Sequence, residues 1–284
     1  MTGLRIRSMT HEDIDAGLRL CRLSSWNQVE DDWRCFLDSP DGGGRIIEKN
    51  NVAVGTVTFL RYRPGFAWLS MMLVDPQERR AGIGSLLIQA ALKALADQSC
   101  VRLDATPAGE SLYRRFGFVP EYELVRATAS VAGKRFQQRP TSVRPIGPED
   151  LEEVFACDRR IFGADRTRLL ASFYRRAPEL AWQARDGYGV LAYSFGRPGY
   201  LYQQLGPIVA ESAAIMRDLV AQCLAGQEGR RIAVDVPRLA PGCIGWLQSM
   251  GFQVERTFLR MRRGENRSPG VCDWQFGIAG PEFG

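Results

Sequence analysis

The chain has 284 residues, 45% apolar, 10% aromatic and 24% charged, with a net charge of +5 and a single histidine. That is room for two domains of about 140 residues each, and the mild positive charge would help attract a small polyanion while speaking little for nucleic acid. Seven scattered cysteines without a Cys-x-x-Cys pair argue for a reducing compartment and against a zinc site; no signal peptide and no run of about 18 apolar residues is present, so a cytoplasmic protein with no membrane partner is expected.

In chain order, residues 4–7 alternate as a short strand. Thr10 and Asp13 have the spacing of a capping box, and Ile14, Leu18, Leu20 and Cys21 form the apolar face of the helix it opens. His11 lies in this helix-start turn, a poor place for the base of a Ser-His-Asp or Cys-His mechanism. The stretch Trp26-Asn27-Gln28-Val29-Glu30-Asp31-Asp32-Trp33 has two readings. Its acids suit the positive end of a helix, or its rings and carboxylates form the wall of an acceptor pocket. Asp41 to Gly44 reads as a loop. Residues 45–48 and 52–61 form a hairpin around Asn50-Asn51, and Pro64-Gly65 turns the chain into an apolar strand over 66–74.

After that strand comes Val74-Asp75-Pro76-Gln77-Glu78-Arg79-Arg80-Ala81-Gly82-Ile83-Gly84, and then a helix over 85–96. Gly82 and Gly84 permit positive φ, the helix start leaves amides unpaired, and Arg79 and Arg80 add charge. Such a turn suits a phosphate or pyrophosphate. No Lys-Ser/Thr follows, so it is not a P-loop; Leu87 replaces the third glycine of a dinucleotide fingerprint. A strand over 101–103, a turn at 104–109, a short helix carrying Leu112, Tyr113 and Phe116, and a strand over 118–127 complete the first half.

The order Val-Asp-Pro, Arg-x-x-Gly-x-Gly, strand, Leu112-Tyr113-x-x-x-Gly117-Phe118 resembles the GNAT superfamily of acyl-CoA-dependent N-acyltransferases over residues 3–127. The resemblance implies acetyl-CoA as cosubstrate and no metal. It implies that Met72, Leu73 and Val74 pair through their backbone with the pantetheine arm. The loop Arg79, Arg80, Ala81, Gly82, Ile83, Gly84, Ser85 would hold the pyrophosphate, and Tyr113 would protonate the leaving thiolate. Thr106 stands where many members have Asn. No motif marks the base that frees the amine; Glu30, Asp31, Asp32 and Asp104 are candidates. Trp26, Asn27, Glu30, Asp31 and Asp104 are the candidates for acceptor binding.

The second half echoes the first. Residues 143–151 repeat 6–14 with an offset of 137, as from Asp13 to Asp150, and Trp246 to Phe252 echoes Leu112 to Phe118. The second copy lacks the glycine loop, and Leu247 replaces the tyrosine. This is similar to tandem GNAT proteins of the YitH/HolE type, in which the second copy is implied to help close the acceptor pocket; Phe162-Gly163-Ala164-Asp165-Arg166 is then its most interesting polar stretch. The expected fold is α/β (α+β), two tandem domains, each a mixed, largely antiparallel sheet flanked by helices. The expected boundaries are 1–127, a linker at 128–142, 143–263, and a tail at 264–284 docked by Trp274 and Phe276.

The expected function is transfer of an acetyl or other short acyl group to a primary amine by direct attack, the acceptor being a small amine rather than a protein and the enzyme a monomer or homodimer. A CoA-binding sensor without transferase activity and an adaptor acting through the second copy are the alternatives.

Overall fold

A computed structural model describes residues 3–131, 143–240 and 242–284. The first half runs β1 (Leu4–Ser8), α1 (Ile14–Leu23), α2 (Glu30–Leu37), β2 (Gly42–Lys49), β3 (Val52–Tyr62), β4 (Phe66–Val74), α3 (Ile83–Ala94), β5 (Cys100–Ala105), α4 (Glu110–Arg115) and β6 (Val119–Ser130). The second runs β7 (Val143–Pro145), α5 (Leu151–Phe162), α6 (Thr167–Arg176), β8 (Trp182–Asp186), β9 (Gly189–Arg197), β10 (Gln203–Ala210), α7 (Ala213–Leu224), β11 (Arg231–Pro237), α8 (Cys243–Ser249), β12 (Gln253–Gly264) and β13 (Gln275–Gly277).

Local chemistry explains several of these bounds. Asn50 and Asn51 take φ of 51° and 63°, the paired left-handed residues that a two-residue hairpin between β2 and β3 requires. Asp13 accepts from the Thr10 amide at 2.8 Å and clamps Arg7 with both oxygens at 2.6 and 2.7 Å. Asp150 does the same with the Gly147 amide and Arg144, at 2.8, 2.6 and 2.7 Å. The repeat seen in sequence is therefore a repeat of one helix-start device. Gly42 to Gly44, expected as loop, are strand: a Cβ on Gly42 would collide with the Phe36 carbonyl, so glycine lets α2 lie close on the sheet.

All the strands form one sheet, ordered β1-β2-β3-β4-β5-β12-β6-β11-β10-β9-β8-β7, with β13 on β10. Most pairings are antiparallel; β4 with β5 and β10 with β11 are parallel. The order is symmetric about the centre except for one exchange. The last strand of each sequence half lies in the other half's sheet: β12 sits beside β5, and β6 beside β11. Thr128 to Ser130, expected as linker, belong to β6; the rest of that linker, from 132 on, lies outside the described residues. Trp33, Phe36, Trp68, Phe162, Phe173, Tyr193, Phe195 and Phe283 share one buried cluster, so the halves and the C-terminal segment have a common core.

Candidate active site

β4 and β5 are hydrogen-bonded only near their starts, at Ala67↔Val101 and Trp68↔Arg102. Beyond Trp68 they splay. The β3–β4 register shifts between Ser70 and Leu73, and Met71 takes a φ of 47°. Thr56 Oγ1 ties down the Met71 carbonyl at 3.0 Å. This bulge turns the strand from its partner, and a cavity of about 650 Å³ fills the opening.

Leu69 to Val74 form one wall of the cleft and Asp104 and Thr106 the facing one. At its mouth Gly82 takes a φ of 82° and opens α3. The first amide paired within the helix is that of Leu86, to the Gly82 carbonyl at 3.2 Å, so those of Ile83, Gly84 and Ser85 precede the ladder. A Cβ on Gly82 would meet nothing within 4 Å; the backbone angle, not crowding, demands glycine there. Arg79, Arg80, Arg115 and Arg256 line the same cleft. An anion would meet unpaired amides, a helix's positive end and guanidinium charge. The residues thus fit a long phosphate-bearing cosubstrate: an unpaired strand edge for an extended amide-bearing arm, and a basic turn for its phosphates.

Of the residues expected to hold that cosubstrate, Ala81 alone does not line the cleft. Tyr113, on α4, lines it too, almost wholly buried and with its ring edge-on to Phe118. Burial pushes its phenol well above the ordinary value, so it stays protonated and able to donate.

The acidic candidates fall elsewhere. Trp33 and Phe36 face the core, which turns Glu30 and Asp31 outward on α2. Glu30 pairs with Arg34 at 2.6 Å, and Asp31 faces Arg176 at 3.6 Å, in a separate groove. Neither lines the cleft, against the expectation that they bind acceptor. Asp32 is buried, accepts from the Val29 amide at 3.0 Å and faces Arg176 at 2.9 Å; it caps α2. Asp104 does line the cleft, but both its oxygens are held by Arg260 at 2.8 Å. Burial raises its pKa against the pull of that guanidinium.

Trp26 and Asn27 line the cleft, yet Asn27 is spent on structure. Its Oδ1 accepts from the amides of Leu201 and Tyr202 at 2.7 and 3.1 Å, and its Nδ2 donates to the Tyr202 carbonyl at 3.1 Å. A Cβ on Gly199 would strike the Asn27 amide. The β9–β10 connection of the second half thus fixes the Trp26 loop. Of the Phe162–Arg166 stretch, Phe162 and Ala164 are buried in the core and Asp165 and Arg166 line the separate groove; none lines the cleft. Gly163 caps α5 with a φ of 87°, and Arg166 clasps Asp158 and donates to the Gly284 oxygen at 2.9 Å.

Sequence reasoning missed the residues that the second half brings to the cleft: Arg256 and Phe258 from β12, and Pro281 and Glu282 from the segment after β13. The strand exchange delivers the first pair. Nothing in the Gly-rich tail hints at the second.

The equivalent opening in the second half is closed. β10 and β11 pair from Gln203 to Leu205, and a register shift follows at Gly206-Pro207. There β13 pairs with β10 at Ile208↔Gly277, and the Ile278 amide donates to the Asp235 carbonyl at 3.0 Å. A Cβ on Gly206 would collide with the Ile278 carbonyl. The chain's own strand occupies the gap that stays open between β4 and β5.

Residues 11–118 match the family model described as "Acetyltransferase (GNAT) family", and residues 154–277 match one described as "Acetyltransferase (GNAT) domain". The chain is 29% identical to "Holothin acyltransferase" of Pseudoalteromonas sp. (strain SANK 73390), over 84% of this chain and 81% of that one. It is 22% identical to the "Uncharacterized N-acetyltransferase YitH" of Bacillus subtilis (strain 168), over 85% and 86%. A crystal structure from Pyrococcus horikoshii superposes with a TM-score of 0.83 at 23% identity, covering 100% of this chain and 97% of that one. A "Tandem GNAT protein from the clavulanic acid biosynthesis pathway" superposes with a TM-score of 0.65 at 14% identity, covering 91% and 98%.

Proposed function

The chain is a GNAT N-acetyltransferase with two GNAT domains in tandem, and on that premise we propose that it transfers an acetyl or other short acyl group from CoA to the primary amine of a small acceptor, in the cleft between β4 and β5. Acyl-CoA supplies a thioester, an acyl group already activated toward amines. The chain's part is to bind, orient and move protons. The backbone of Met72, Leu73 and Val74 offers its unpaired edge to the pantetheine arm. The amides from Arg79 to Ser85, with the arginines at the mouth, receive the phosphates. Thr106 on the facing wall offers a hydroxyl to the same arm.

Tyr113 then donates its proton to the departing thiolate. A thiol has an ordinary pKa near 8.5 and burial holds the phenol above its own ordinary value, so Tyr113 carries its proton when the thiolate forms and stabilises it first by hydrogen bond, the transfer completing as the acceptor nitrogen sheds a proton. Direct attack needs no enzyme nucleophile, and among the described residues the cleft is lined by neither cysteine nor histidine.

The observation that carries this reading is that Tyr113 and the Gly82 turn line one open cleft, while the half that lacks both has its opening filled by β13. Trp26, Phe258, Pro281 and Glu282 line the same cleft, apolar and acidic groups that suit a small amine. The resemblance to a holothin acyltransferase makes holothin the first acceptor to try. The test is thiol release from acetyl-CoA with holothin, tyramine and benzylamine in turn. Amine-dependent release supports the reading. Tight acetyl-CoA binding with no release across a broad amine panel favours a sensor instead.

A further inference from the structure

We infer that Glu282, carried on the segment after β13, is the carboxylate that receives the acceptor's amino group and takes its proton. The inference rests on the transfer reading above and names the base it lacks.

Four observations carry it. Glu282 lines the cleft beside Pro281 and on the same cavity as Tyr113. Its side chain is 3% exposed, and only Oε1 is engaged, by Arg197. Oε2 is buried and has no hydrogen-bond partner among the described residues. A buried carboxylate oxygen without a donor is costly and rare in a folded core, and here it belongs to a residue that lines a space large enough for a ligand. Finally, the segment is held rigidly. The Pro281 carbonyl accepts from Trp68 Nε1 at 3.0 Å and the Phe283 carbonyl from the Tyr62 hydroxyl at 2.8 Å. The Phe283 and Gly284 amides both donate to the Gly280 carbonyl at 2.9 Å. A catalytic group needs such support.

The acidic residues expected to serve as base are engaged or outside the cleft: Asp104 by Arg260, Asp32 at its cap, Glu30 and Asp31 on the far face of α2. Glu78, which also lines the cleft, accepts from Lys49 with both oxygens at 2.7 and 2.9 Å, so among the described residues Glu282 is the carboxylate in the cleft with an oxygen to spare. The charged and titratable groups that face it are Arg197 of β9, Asp32 of α2, Arg126 of β6, Cys21 of α1 and Tyr62 of β3. Burial and the Asp32 charge raise its pKa, and Arg197 and Arg126 oppose them. The net shift brings it closer to the range where a base both accepts and releases a proton.

The step balances. The acceptor arrives as an ammonium, and Glu282 Oε2 takes one proton. The freed nitrogen lone pair forms the new C–N bond at the thioester carbon as the C–S bond breaks. The sulfur takes the Tyr113 proton. The proton that the nitrogen still sheds returns, through solvent, to the phenolate. The net change is one amide, one thiol and one proton released from Glu282.

The test compares wild type with Glu282→Gln and Glu282→Asp in three measurements. These are acetyl-CoA affinity, calorimetric binding of tyramine to the CoA-saturated protein, and the pH profile of kcat/KM with the best amine of the panel. Glu282→Gln is expected to bind acetyl-CoA as wild type does, to bind tyramine about tenfold or more weakly, and to lose about 10²–10⁴ in kcat/KM. Because the base works deprotonated, wild-type kcat/KM rises with pH through the Glu282 titration, and the variant loses that acid limb. A Glu282→Gln protein with wild-type kcat/KM and an intact acid limb overturns the inference. Should that variant fail to bind acetyl-CoA, Glu282→Asp decides: it keeps a charge beside Arg197 but withdraws the oxygen, and wild-type turnover in it overturns the inference equally. Wild-type protein that binds acetyl-CoA but acylates no amine defeats the transfer reading; the Glu282 assignment then stands or falls on the tyramine binding difference.

Discussion

Arg260 of β12 clasps Asp104 of β5, Nε to Oδ1 and Nη2 to Oδ2, both at 2.8 Å, although 156 residues separate them. Arg126 of β6 clasps Asp235 of β11 in the same way, at 2.8 and 2.7 Å. Each pair joins an exchanged strand to its host half, and each arginine also meets a tyrosine hydroxyl, Tyr122 and Tyr202 respectively. Burial works against the charge of Arg260, and Asp104 and Tyr122 outweigh it, raising its pKa. Removing one member strands a buried charge. Arg260→Met is therefore expected to cost about 3–5 kcal/mol in urea denaturation. Arg260→Leu with Asp104→Leu should recover most of that loss, because no charge is left unpaired.

Acetyl-CoA should bind at one site per chain. β13 fills the second opening as an antiparallel neighbour of β10, so a second arm would have to displace covalently tethered chain. Calorimetric titration is expected to give a stoichiometry of one. A second site of similar affinity would show that β13 does not close that opening.

Gly82→Val should weaken acetyl-CoA binding by about tenfold or more while leaving the protein folded. Its φ of 82° costs a β-branched residue about 1–3 kcal/mol, relieved by reshaping the turn whose amides are proposed to receive the phosphates. Gly226 supplies the control. Its φ is 84°, and a Cβ there also meets nothing within 4 Å, but it follows α7, away from the cleft. Gly226→Val should carry a similar strain and keep wild-type acetyl-CoA affinity.

The helix-start pairs impose an acid limit on stability. The hydrogen bonds from Arg144, with that from the Gly147 amide, lower the Asp150 pKa from 3.8 to about 2. The Asp13 carboxyl is lowered too, burial opposing and Arg7 prevailing. Because the folded values lie below the unfolded ones, the stabilisation is complete above about pH 4 and is lost as pH falls toward 2. Arg144 is half exposed, so each pair is worth about 1 kcal/mol after screening. Asp150→Asn should lower the melting temperature at pH 7 and flatten its fall between pH 4 and 2.

These features differ in how far the sequence betrays them. The Asn50-Asn51 hairpin, the Asp13 and Asp150 caps and the turn at Gly82 are local: a few neighbouring residues specify the backbone, and the pattern shows it. The strand exchange is not local. β6 and β12 carry similar patterns, and each brings an arginine to a buried aspartate of its host, Arg126 to Asp235 and Arg260 to Asp104, so nothing within either strand says which half it joins. Gly42 to Gly44 look like a loop because their reason, the Phe36 carbonyl pressed against Gly42, lies on another element. β13 is three residues long in a Gly-rich segment. Nothing near it announces that it completes a sheet and carries Glu282 into the cleft. The acids at 30–32 misled for the converse reason: clustered in sequence, they point in different directions on α2.

Acyl transfer through Tyr113 in the first-half cleft is tested most directly by amine-dependent thiol release from acetyl-CoA by wild type and Tyr113→Phe, with acetyl-CoA affinity measured on both. The expected result is a kcat lowered by about 10²–10⁴ at unchanged acetyl-CoA affinity. Wild-type kcat in Tyr113→Phe, or no acetyl-CoA binding by either protein, would contradict it.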